Sequence, residues 1–256
     1  MRPPIPVLAA VFLLAAALPM TAQAKPDNPC DGKEAAQLLC PNLRIGPASE
    51  IYVENRGPGQ VWLRATSDVR SRGRGPMELV GFRNGWRTMR TNQRIWKVDG
   101  GFKTVKSEAT LRFTDVGYQF GGAYWKVHEL ARFDLRPVEA DGTVGEPVRT
   151  SPKLNYCLRD LYRTQPSAVS PPSRYYPACN QNPYRNRVTL GTSVGWSDIY
   201  PAPYHQQYIN VDGLSGCFVY EMRVDPQNYL FESNEEDNRS RRLVRLPYTG
   251  PVTSCP

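Results

Sequence analysis

The sequence predicts an all-β chain: a single sandwich-like domain with long loops, stapled by disulfides. Three observations lead there. Aromatic residues make up 11% of the chain and prolines number 24, which suits many short strands joined by punctuated loops, not a helical bundle. Phe218, Tyr220, Met222 and Val224 alternate with Val219, Glu221 and Arg223, so one face of a strand carries the larger apolar groups. Six cysteines, Cys30, Cys40, Cys157, Cys179, Cys217 and Cys255, all lie beyond residue 24, and an even count in an exported chain argues for disulfides.

Residues 1–24 read as a secretory signal. Arg2 supplies the charge, Val7–Leu18 the apolar run and Ala22-Gln23-Ala24 a small-x-small cleavage site. The run is short for a bilayer span, so an exported protein is expected, periplasmic or extracellular, without stable membrane insertion. Residues 25–256 contain no internal repeat or low-complexity linker and are read as one domain. Loop economy favours the bridges Cys30–Cys40, Cys157–Cys179 and Cys217–Cys255 among the pairings that six cysteines allow. None forms a C-x-x-C pair, which argues against zinc or redox chemistry.

A formal charge of +8 is read either as solvated faces that serve solubility or as attraction to anionic partners, namely cell-envelope polymers, lipid head groups or extracellular proteins. The densest basic runs are Arg70-Ser71-Arg72-Gly73-Arg74 and Arg239-Ser240-Arg241-Arg242. No nucleic-acid-binding motif accompanies the charge, and nucleic acid is not an expected partner.

Strand signals begin at Ile51–Val53 and continue where Val61, Leu63 and Ala65 alternate with Trp62, Arg64 and Thr66. Gly75-Pro76-Met77-Glu78-Leu79 turns into a third strand. Arg94–Val98 precedes an Asp99-Gly100-Gly101 turn. Near the end, Val211-Asp212-Gly213-Leu214-Ser215-Gly216 has the chemistry of a tight turn joining a strand at Tyr208–Val211 to the Phe218–Val224 strand. Asp225-Pro226 then stops the ladder, since proline brings no N–H.

Several of these segments resemble the lysyl oxidase family when taken in order. They are Gln93-Arg94-Ile95-Trp96-Lys97-Val98-Asp99-Gly100, the Asp198-Ile199-Tyr200 triplet, the glycine-rich turn just described, and the tail Glu232-Ser233-Asn234-Glu235-Glu236-Asp237-Asn238. The similarity runs from about Cys40 to Leu246, and it implies a longer loop after the Asp99-Gly100-Gly101 turn. It implies the lysyl oxidase-like form of the predicted sandwich, with copper-dependent oxidation of primary amines to aldehydes as the family activity.

That activity uses a copper held by three alternating histidines on one strand, which continues into an F-A-R-Y-E-L-like run. The resemblance puts those ligand positions on Gly122, Tyr124 and Lys126, ahead of Leu130-Ala131-Arg132-Phe133-Asp134-Leu135. Glycine has no donor, and a lysine ammonium repels a cation. The whole chain has two histidines, His128 and His205, so a three-imidazole site cannot be built from it. Each histidine is read as a surface or hydrogen-bonded residue. No G-x-S-x-G, H-E-x-x-H or P-loop is present.

The family's quinone joins a lysine to a tyrosine, and both settings persist. Lys153-Leu154-Asn155-Tyr156-Cys157-Leu158-Arg159-Asp160 matches the lysine setting, and Tyr200 the tyrosine. Without copper the two are expected to stay an ordinary lysine and tyrosine; neither copper nor lysine tyrosylquinone is an expected cofactor. Calcium is the expected ion. Oxygen ligands from Glu232, Asn234, Asp237 and Asn238, with Asn42 and the Leu43 carbonyl, carry over from the family's structural calcium site and suit a hard cation. The expectation is therefore a non-catalytic, exported lysyl oxidase-like module of the cell envelope, with a copper and quinone amine oxidase as the alternative.

Overall fold

The computed structural model describes residues 27–255, so the signal-like segment lies outside the described residues. The chain is an all-β sandwich. Its first strands are β1 (Leu38–Leu39), β2 (Leu43–Ile45), β3 (Ser49–Asn55), β4 (Val61–Ser71) and β5 (Met77–Gly85). There follow β6 (Thr88–Lys97), β7 (Phe102–Asp115), β8 (Ala123–Val127), β9 (Ala131–Pro137) and β10 (Arg149–Thr150). The last are β11 (Arg187–Thr192), β12 (Ser197–Tyr200), β13 (Tyr208–Asn210), β14 (Gly216–Val224) and β15 (Arg239–Leu246).

Three sheets result. A six-stranded sheet runs β11-β5-β6-β7-β8 with β1 on β6, and a four-stranded sheet runs β10-β9-β14-β15. In the third, β4 is shared by β2, β3, β12 and β13. All the recorded ladders are antiparallel. As the alternation requires, Phe218, Tyr220, Met222 and Val224 of β14 are all buried. They pack with Phe133, Leu135, Trp125 and Val244 in the main core. Asp225, at φ +43°, ends the strand as expected and accepts the N–H groups of Tyr229 and Leu230.

Cysteine pairing is as expected: Cys30–Cys40, Cys157–Cys179 and Cys217–Cys255, with Cα atoms 5.8, 5.8 and 5.9 Å apart. That is the separation a disulfide spans without displacing the backbone.

Three local expectations need correction. The loop expected after Gly101 is instead the 14-residue strand β7, paired along most of its length with β6. The hairpin between Tyr208–Val211 and Phe218–Val224 does not form. The turn is there, with Gly213 at φ +73° and Leu214 N–H bonded to Val211 C=O, but β13 pairs with β4 while β14 pairs with β9 and β15. The turn passes the chain from one sheet to another. Nor does the strand carrying Tyr124 and Lys126 continue through Leu135. It breaks at His128–Leu130, where Glu129 has φ +54°, and β8 and β9 belong to different sheets.

Candidate functional site

β8 brings the first cluster together. Tyr124 and Lys126, two residues apart, point to the same side, and the Lys126 Nζ lies 4.8 Å from the centre of the Tyr124 ring. Gly122 sits just before the strand at φ +76° and closes a turn by accepting the Val116 N–H. The loop through Lys153 and the strand β12 with its following turn complete the cluster. Lys153 Nζ lies 3.8 Å from the centre of the Tyr200 ring, and Lys126 Nζ 5.7 Å from it. The structure thus brings Lys153 and Tyr200 together, beside Tyr124 and Lys126.

Each residue is held by its own backbone context. Tyr200, the last residue of β12, accepts the Cys157 N–H on its hydroxyl at 3.0 Å. Lys153 follows Ser151, whose hydroxyl takes the Lys153 N–H. Asp160, the end of the lysine motif, is fully buried and accepts the N–H groups of Tyr175, Tyr176 and Ser193 and the Ser193 hydroxyl. That carboxylate fixes the loop that carries Lys153 and Cys157.

Electrostatics divides the two lysines. Burial lowers the Lys126 pKa to about 8, partly offset by the Asp198 carboxylate. Lys153 is pushed well down, by burial first and then by the neighbouring Lys126 charge. Each amine thus acts on the titration of the other, and burial favours the neutral form of Lys153. Asp198 is pushed up to about 6 by burial, against the pull of Arg159, Lys153 and Lys126. Arg159 Nε stands 3.6 Å from its carboxylate.

Tyr124, Tyr200 and Tyr204 form part of the wall of a cleft of about 1020 Å³, with Arg159 and the Cys157–Cys179 bridge. The Tyr124 and Tyr204 hydroxyls hydrogen-bond to each other between the cleft and the lysines. Sequence reasoning missed Tyr204; its only signal is its place four residues after Tyr200. The histidines have separate surroundings: His128 Nδ1 bonds Asn155 Oδ1 at 2.9 Å, and His205 lies against Phe120 with ring centres 6.2 Å apart.

The calcium candidates also converge. Asn42 Nδ2 donates to Asp237 Oδ2 at 3.1 Å, Asn234 Nδ2 donates to the same oxygen, and Asn238 Nδ2 donates to Glu232 Oε1. Leu43 meets the fully buried Glu232 carboxylate through its N–H. Asn234 Oδ1 is taken by the Glu236 N–H. Three oxygens, Asn42 Oδ1, Asp237 Oδ1 and Asn238 Oδ1, are buried and accept no hydrogen bond among the described residues. Orphaned oxygens on amide and carboxylate groups are a donor set that fits a hard cation. Burial pushes the Glu232 carboxyl well up, with the nearby Asp225 and Glu235 charges adding to it. Those three are the one trio of His, Cys, Asp or Glu side chains close enough to share a cation among the described residues.

No family model matches the chain, and no curated protein matches it.

Proposed function

We propose that this chain is an exported, lysyl oxidase-like protein that lacks the copper centre and works as a binding or structural module of the cell envelope. The Lys126 ammonium carries this reading. It occupies the third ligand position of the resembled metal site and lies within 5.7 Å of the Tyr200 and Tyr204 rings. A positive charge there repels a cation, and burial leaves little water to screen the repulsion. Two histidines in the whole chain cannot supply three imidazoles.

The proximity of Lys153 and Tyr200 favours a second reading, an amine oxidase. A neutral lysine amine beside the tyrosine ring is the arrangement that joining the two requires. The test is incubation of the folded protein with copper(II) in air. The module reading expects no visible quinone absorption, no mass change and no peroxide released from a primary amine. A quinone band with peroxide release would establish the oxidase.

Calcium is the ion assigned to the second cluster. Glu232, Asn234, Asp237 and Asn238, with Asn42 and Leu43 beside them, would hold it. It would supply a link between the start of the domain and its last loop, with no part in chemistry.

A further inference from the structure

On the outer face of the four-stranded sheet most of the solvent-accessible positions are arginine. Cross-strand register sets Arg132, Arg223 and Arg239 directly abreast on β9, β14 and β15, with no acidic residue in that row. The next row on the same face holds Asp134, Glu221 and Arg241, and Arg136 follows on β9. Five guanidinium groups therefore face two carboxylates, an excess of three positive charges. One exposed carboxylate, Glu146, stands at the rim 3.8 Å from Arg136.

Both carboxylates lie beneath the guanidinium layer. Glu221 is fully buried, with Arg223 at 2.6 Å, Arg241 at 2.7 Å, Arg136 at 3.4 Å and Arg239 at 4.0 Å. Asp134 takes Arg132 through both oxygens, at 3.0 and 2.9 Å, and the Thr150 hydroxyl at 2.6 Å. The acids orient the arginines from below and leave their outer edges free: Arg132, Arg223, Arg239 and Arg241 side chains keep 45, 34, 47 and 44% of their surface in solvent. Like charges placed directly opposite across a sheet cost stability.

We infer that this face binds an extended acidic polysaccharide through the carboxylates of its uronate residues. Arginine forks match planar carboxylates with two parallel hydrogen bonds. Neighbouring strands are ~4.8 Å apart, comparable to the length of one sugar ring, so a uronate chain laid across β9, β14 and β15 offers one carboxylate per arginine. Two other polyanions fit less well. No aromatic side chain stands at the outward positions of these strands, so the face has no platform on which bases stack. Nor does it carry the exposed apolar edge with which a protein enters a lipid surface. The inference names the partner of the binding-module reading but rests on side chains other than Lys153 and Tyr200. An oxidase that binds uronate and a module that does not are therefore separable outcomes.

The experiment measures binding of the full chain to polygalacturonate, with neutral dextran, single-stranded DNA and phosphatidylglycerol vesicles as comparisons, across a salt series. Saturable polygalacturonate binding that weakens with salt is expected, tighter than to DNA or vesicles, with none to dextran. Arg223→Gln/Arg239→Gln should weaken it at least tenfold and flatten its salt dependence. The control Arg90→Gln/Arg112→Gln removes the same charge from another sheet and should change it less than twofold. Arg223→Lys/Arg239→Lys keeps the charge and the packing and should still lose several-fold, because lysine lacks the fork. Equal losses in the control pair, tighter binding to DNA or vesicles, or no polygalacturonate binding at low salt would each overturn the inference.

Discussion

The Lys153 amine sits over the ring of Tyr200, 3.8 Å from its centre. The expected outcome is nonetheless an unlinked pair. Intact mass of the purified protein should equal the sum of its residues less the hydrogens of three disulfides, before and after copper treatment. A mass deficit traced to a Lys153–Tyr200 cross-link would reverse the functional reading.

Tyr200 has a structural task as well, since its hydroxyl takes the buried Cys157 N–H. Tyr200→Phe removes the acceptor and leaves that N–H unpaired. A loss of about 1–3 kcal/mol in denaturant unfolding is expected. Asp160→Ala strips four hydrogen bonds at once and should cost more than Tyr200→Phe in the same measurement.

The buried lysines set a pH dependence. In the folded chain Lys126 is pushed down to about 8 and burial drives Lys153 well below the ordinary lysine range, whereas an unfolded lysine titrates at about 10.4. Between those values the unfolded chain binds more protons, so stability rises with pH. Above about pH 10 the sign turns, because burial holds the Tyr156 and Tyr200 phenols protonated in the folded chain alone. Melting temperature should therefore climb from about pH 8 and peak near pH 10. Lys126→Met should flatten the climb, and a wild-type melting temperature that falls through this window would refute the assignment.

Calcium should raise the melting temperature in proportion to the logarithm of its excess over Kd. Asp237→Ala should abolish the rise. The same variant also loses its pairing with Arg44 at 2.5 Å, an exposed contact whose own contribution is small. A wild-type melting curve unmoved by calcium would leave the orphaned oxygens of Asn42, Asp237 and Asn238 without a cation.

No free thiol should be found in denatured, unreduced protein. Removing single bridges should cost in order of loop length: about 3 kcal/mol for the short Cys30–Cys40 loop and about 4 kcal/mol for Cys217–Cys255 on the chain-entropy account. Paired Cys→Ala variants followed by denaturant titration measure this.

How much of this was legible depended on where the deciding contact lay. β14 could be read because its inward residues are large and apolar. β7 could not, because its partly or fully buried positions include Val105, Ser107 and Ala109, and Ser107 spends its hydroxyl on the Tyr229 carbonyl. The turn at Val211–Gly216 was chemically right, but β13 found its partner in β4, some 150 residues earlier, and turn chemistry does not report that. Lys153 and Tyr200 stood out by motif. Their company did not: nothing in local spacing says that the loop at 151–160 and the turn at 200–204 meet on β8.

The contacts between Asn42 and Asp237 and between Leu43 and Glu232 close loops of 195 and 189 residues. During synthesis the early strand β2 therefore leaves the ribosome long before the loop that completes its surroundings. Until that loop arrives, β2 can pair with β4 yet must leave the Leu43 N–H to water. Closing so long a loop is slow, because its entropy is spent before any contact repays it. Native closure thus waits for nearly the whole chain, and a nascent chain stopped before residue 232 should remain open at its amino-terminal edge.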